Sequence, residues 1–187
     1  MKRRDGFTLI ELLMTITIMV ILLGLSVVAL RSSTANARDD KRRSDVQVIA
    51  RGLERRYYDG NPRATATEIE KGSYPGTNEM LHASGSTIAD FTPTQVVGGY
   101  LPDLLPGTTK DVFVSPTGGS FNLTCTSSCS PAGTMAAITT AVGSDNYSYE
   151  PIDRNGNVCA NNSCVRFSIY YKTEVDNTIH SLSSKHQ

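Results

Sequence analysis

The chain has no tryptophan, only three histidines and, over 187 residues, no net formal charge, with 18 Lys/Arg against 18 Asp/Glu. A balanced chain of this kind lacks the field that gathers polyanions. It also has no basic, aromatic-interleaved surface of the sort that binds nucleic acid. His82, His180 and His186 lie in unrelated segments without metal-ligand spacing. There is no Gly-x-Ser-x-Gly elbow and no glycine-rich phosphate loop between a strand and a helix. No enzyme constellation is therefore legible. The apolar share is 39%, with 15 Gly and 8 Pro, which suits a small, loop-rich domain.

What is present begins at the N-terminus. From Phe7 to Leu30 the chain is apolar, and its one charge is Glu11. About 20 apolar residues cross a bilayer, so the length fits a single span. A plain anchor has no use for a carboxylate, which is costly inside a membrane. Glu11 thus asks for a partner that the span itself does not contain. An ordinary secretory signal ends in a small-x-small cleavage site, for which Ser26 and Ala29 are poor matches. Lys2, Arg3 and Arg4 precede the span while Arg31, Arg38, Lys41, Arg42 and Arg43 follow it, so charge alone leaves orientation open.

Residues 6–13 read Gly-Phe-Thr-Leu-Ile-Glu-Leu-Leu behind the short basic leader Met1–Asp5. This string closely resembles the class III signal of type IV pilins and pseudopilins. The resemblance implies that a membrane-embedded prepilin peptidase cuts after Gly6 and methylates the new amine of Phe7. It implies that Glu11, fifth in the mature chain, registers an incoming subunit against a neighbour's Phe7 amine. Implied partners are the peptidase, copies of the chain or other pilins, and an assembly platform with its ATPase. The implied location is the cytoplasmic membrane with an extracytoplasmic head, then a cell-surface filament. Many family members carry Pro near the twenty-second mature residue; here the position is Val28, with Gly24 and Ser26 nearby. That departure puts melting of the helix on assembly in doubt. It favours a minor pilin or pseudopilin, whereas the simple one-domain head suits a major pilin, so both stay open. The competing class is a membrane-tethered binding module that does not polymerise.

Four segments are expected: a leader over 1–6, a span over 7–30, an amphipathic outer half of the same helix over 31–60, and a head over 61–187. Val46, Ile49, Ala50, Leu53 and Tyr57 recur at helical spacing, with Arg51, Glu54 and Arg55 on other faces. Gly60-Asn61-Pro62 supplies the stop. Residues 61–110 are turn-rich, with short helices expected near Ala66–Glu70 and Thr94–Val97. Val165, Phe167, Ile169 and Tyr171 alternate with Arg166, Ser168, Tyr170 and Lys172, the period of a half-buried strand. Asp176-Asn177 then offers a turn into a strand at Ile179 and Leu182. Asp111–Ser115 and Tyr147–Glu150 are further strand candidates. The expected fold is α+β, a long helix packed on a small antiparallel sheet.

The charge balance hides an asymmetry. Residues 31–56 hold eight Lys/Arg and four Asp/Glu, whereas 57–187 hold seven and twelve. A basic stem beside an acidic head favours attraction between staggered subunits; a solvated helix face of mixed charge is the alternative. The cysteines form two close pairs, Cys125-x3-Cys129 and Cys159-x4-Cys164. Beyond a membrane span, disulfides are favoured, here as the two local pairs; crossed pairings and zinc are the alternatives. No cofactor is expected, with calcium as the one alternative. Asp153, Asn155 and Asn157 around Gly156 resemble part of a calcium loop without its terminal bidentate Glu. Such clusters are also plain turns.

Overall fold

A computed structural model describes residues 7–60, 71–77, 79–80, 105, 107–119, 121–123, 142–143, 146–160 and 164–186. The helix α1 (Leu9–Asp59) contributes to two compact units, Met1–Ala37 and Arg38–Gln187.

In the first unit α1 is long and apolar enough to cross a membrane. Its large side chains face outward, from Leu9 and Ile10 through Leu25 and Leu30. Such a surface is stable in hydrocarbon and not in water. The hydroxyls along it are turned back onto the helix: Thr15 Oγ1 donates to Leu12 O at 2.9 Å, Thr17 to Met14 O at 2.8 Å and Ser26 to Leu22 O at 2.8 Å. That pattern satisfies a polar group without water. Gly24 has open space around it.

In the second unit the outer part of α1 lays Val46, Ile49, Ala50 and Leu53 into the core, all buried as their spacing predicts. The helix stops at Gly60, whose φ of 67° is left-handed and whose N–H bonds Arg56 O at 2.9 Å. Glycine adopts that conformation without a Cβ penalty. Four strands follow, β1 (Phe121–Leu123), β2 (Tyr147–Ile152), β3 (Arg166–Lys172) and β4 (Ile179–Ser183), joined in the order β1-β2-β3-β4. The β2-β3-β4 part is antiparallel, with Tyr149 opposite Ile169 and Ile169 opposite Leu182. Period-two alternation sends Tyr147, Tyr149, Phe167, Ile169 and Tyr171 to the helix side, where they share one core with Leu53 and Ile49. On the opposite face, Tyr170 donates to Glu150 Oε2 at 2.8 Å, and both are buried.

Two expectations change. Asp111–Ser115 is not a strand: Lys110–Phe113 is a 3-10 turn, closed by Val112 N to Thr109 O at 3.3 Å and Val114 N to Asp111 O at 3.4 Å. Its backbone groups bond locally, and Phe113 is buried against Phe121. β3, expected to be half-buried, is covered on both faces, with Ser168 and Tyr170 buried as well. The expected small antiparallel sheet is β2-β3-β4, and β1 adds to its edge in parallel with β2. The helices expected near 66–70 and 94–97 lie outside the described residues.

Candidate functional site

The site is the first turn of α1. Thr8 stands just before the helix and Glu11 three residues on, and they cap each other. Glu11 Oε2 accepts from Thr8 N at 2.8 Å and from Thr8 Oγ1 at 2.8 Å, while Glu11 N donates to Thr8 Oγ1 at 3.4 Å. This is a reciprocal capping box, which satisfies backbone donors that the helix start leaves free. A carboxylate also suits the positive end of the helix dipole. The two bonds to the carboxylate both use Oε2. Oε1 of Glu11 has no hydrogen bond among the described residues. Phe7, immediately before the cap, is 88% exposed. Gly6 lies outside the described residues. Thr8 was not singled out by sequence reasoning, yet Thr8-x-x-Glu11 before an apolar run is the signal that finds it.

The remaining candidate residues lie in the second unit. Cys159 and Cys164 are joined in a disulfide with Cα atoms 5.6 Å apart, both buried in the core. The bridge fixes the loop against residues 74–77: Tyr74 N donates to Cys164 O at 2.8 Å and Thr77 N to Cys159 O at 3.1 Å. Cys125 and Cys129 lie outside the described residues. Asp153 Oδ1 accepts the amides of Asn155 and Asn157, each at 2.8 Å, and Gly156 has φ 83°. The Asp153, Asn155, Asn157 cluster thus forms an Asx turn.

An electrostatic clasp, not foreseen from sequence, ties the outer helix to the β3–β4 turn. Glu174 takes Arg38 Nη2 at 2.7 Å and Arg42 Nη2 at 2.6 Å. Asp39 completes it by accepting Glu174 N at 2.9 Å and Val175 N at 3.1 Å, and by pairing with Arg42 Nη1 at 2.6 Å. The hydrogen bonds from Arg38 and then Arg42 hold the Glu174 carboxyl down at about 2. Further along, Asp45 Oδ2 accepts from Lys41 at 2.7 Å and from Tyr147 at 2.9 Å. Burial, then Asp45, pushes the Tyr147 phenol well up. Glu54, placed on an outward face by spacing, instead accepts Lys185 N at 2.9 Å and sits 3.5 Å from His186 Nε2. His186 stacks on Tyr57 with centroids 4.2 Å apart. No group of three or more His, Cys, Asp or Glu with metal-holding geometry occurs among the described residues.

Residues 1–27 match the family model of the prokaryotic N-terminal methylation motif, the class III signal peptide of type IV pilins and pseudopilins. No curated protein and no solved structure matches the chain. The motif supports a type IV pilin-like protein that prepilin peptidase processes, and it points to a structural role rather than to catalysis. The apolar α1 fits membrane anchoring.

Proposed function

We propose that the chain is a structural subunit of a type IV pilus or type II secretion-like filament, polymerised through its N-terminal helix. Cleavage between Gly6 and Phe7 removes the basic leader and turns the Phe7 amide nitrogen into an amine, which keeps its charge after methylation. The observation that carries the reading is the divided carboxylate of Glu11. One oxygen caps its own helix through Thr8, and the other is open at the start of an outward-facing apolar helix. A cationic amine from a neighbouring subunit is the partner for Oε1, which has none among the described residues. Their attraction strengthens as water is excluded, while leucine, isoleucine and valine side chains form the filament core. Before assembly the subunit rests in the cytoplasmic membrane with its head outside the cytoplasm; afterwards it belongs to a cell-surface filament. Its partners are the peptidase, other copies or other pilins, and an assembly platform with an ATPase.

Intact-mass measurement on membrane-purified and filament-derived protein tests this. The expected mature chain begins at Phe7 and carries a methyl group. Assembled material that retains Met1–Gly6 contradicts the reading. Replacing Gly6 by a bulky residue is expected to leave unprocessed protein in the membrane.

A further inference from the structure

The outer part of α1 sorts its charges. Three of its acids are engaged with the head: Asp39 holds two turn amides, Asp45 holds Tyr147 and Glu54 holds Lys185 N. Four cations are likewise engaged, Arg38 and Arg42 with Glu174, Lys41 with Asp45, and Arg56 with Gly60 O at 2.7 Å. Three arginines are left on the exposed side, Arg43, Arg51 and Arg55. Arg43 makes no hydrogen bond or ion pair among the described residues. Arg51 Nε turns back to Gln47 O of its own helix at 3.2 Å. Arg55 meets Asp59 at 3.4 Å with both side chains more than half exposed. Positions 43, 47, 51 and 55 follow one another by four residues, so the row winds slowly over about 18 Å at 1.5 Å per residue.

A merely solvated helix face interleaves acids and bases at i, i+4 spacing. Here Asp40 and Asp59 stand at the ends of the row, Asp45 and Glu54 are engaged with the head, and positions 43, 47, 51 and 55 themselves carry no acid. The cations are all arginine, whose planar fork suits carboxylates and interfaces better than lysine does. Against this row, residues 61–187 carry eleven Asp/Glu and seven Lys/Arg. Asp111 is exposed there and has no side-chain partner among the described residues.

We infer that the Arg43–Arg51–Arg55 row is the seat for the acidic head of a second copy of this chain. The inference rests on the filament reading and gives it a lateral contact separate from Glu11. Opposite charges at such a contact set register and suppress wrong neighbours, and exposed pairs weaken as salt rises.

The test uses the full-length chain, expressed with its assembly machinery. Three forms are compared with wild type: Arg43→Glu/Arg51→Glu/Arg55→Glu, the corresponding triple lysine form, and a chain with a photoreactive residue at position 51. The glutamate triple is expected at the wild-type membrane level, with sheared filament yield down at least about tenfold. The lysine triple keeps the charge and is expected to lose less. Photoadducts from assembled filaments are expected to join two copies, with the second attachment within 57–187. Undiminished filaments from the glutamate triple, or adducts that map to another protein, overturn the inference while leaving the filament reading intact. If the wild-type chain itself does not polymerise, both fall.

Discussion

Arg42 Nη2 lies 2.6 Å from Glu174 Oε1, although the two residues are 132 apart in sequence. The guanidinium is 1% exposed and the carboxylate 21%. Bringing a charge that far out of water is unfavourable unless it is paired and hydrogen-bonded. Here Asp39, Glu174 and Thr117 Oγ1 share it, the last at 3.3 Å, while Arg42 Nε has no hydrogen-bond partner among the described residues. The clasp therefore fixes the β3–β4 turn to one place on α1.

Neutralising Glu174 with Glu174→Gln is expected to destabilise the second unit by about 1–2 kcal/mol, a buried-pair loss discounted for the partial exposure of the carboxylate. Because the folded-state pKa is lowered to about 2, the stabilisation is present above the ordinary glutamate range. It is lost as pH falls through that range toward 2. Thermal unfolding of the detergent-purified chain, followed by circular dichroism between pH 7 and 2, is expected to show a steeper acid loss in wild type than in Glu174→Gln.

Glu79 has the opposite sign. It is 3% exposed, its Oε2 has no hydrogen-bond partner among the described residues, and burial raises its pKa. A raised carboxyl pKa means that the folded state binds the proton more tightly. The contribution is then favourable below the unfolded glutamate value and is lost as pH rises through the folded one. Glu79→Gln removes the buried charge at neutral pH. Its melting temperature is expected to exceed that of wild type at pH 7 and to converge with it near pH 4.

Gly76 is held against the disulfide loop. A Cβ there would lie 2.6 Å from both C and O of Ala160, which are backbone atoms and cannot swing away. Gly76→Ala is expected to cost about 1–3 kcal/mol, the usual range for overpacking. Equilibrium urea unfolding of the full chain in detergent measures it, and a cost near zero would mean that the loop moves freely.

Much of the fold was legible because its signals are local and repeated. The helical spacing of Val46, Ile49, Ala50 and Leu53 spans several turns, and the apolar positions Val165, Phe167, Ile169 and Tyr171 repeat at period two in the sequence, although the fold buries both faces of β3. β1 has three residues, too few for a period, and its parallel pairing with Tyr147–Tyr149 depends on chain far away. Asp111-Val-Phe-Val-Ser alternates over only five residues, which does not separate a strand from a 3-10 turn. The clasp was not legible, since Arg38 and Arg42 meet Glu174 only once the β3–β4 turn folds onto the helix. In the N-terminal site the lone acid was conspicuous, while the capping role of Thr8 lay in the same four residues.

Thr8 is expected to position Glu11. Thr8→Val keeps the size but removes the hydroxyl that both donates to and accepts from Glu11. Amide exchange of residues 8–12 in micelles is expected to quicken in Thr8→Val and to stay near wild type in Thr8→Ser, which keeps the cap. Equal protection in all three forms would remove Thr8 from this role.

Incorporation of Glu11→Ala into filaments tests the central claim most directly. Among the described residues Glu11 bonds through its side chain only to Thr8, within the first unit, so the core and the Cys159–Cys164 bridge of the second unit are expected to survive the substitution. Membrane insertion is expected to be at least as good as wild type, because a carboxylate leaves the apolar segment. Glu11→Gln, which keeps the shape without the charge, is expected to behave like the alanine form in assembly. The measurement is the ratio of variant to wild-type subunit, by mass, in the membrane and in the sheared filament fraction of cells that express both. The account predicts a ratio near one in the membrane and a strongly reduced ratio in filaments. Equal ratios in the two fractions would contradict it, because Glu11 would then not be the charge that registers the subunit.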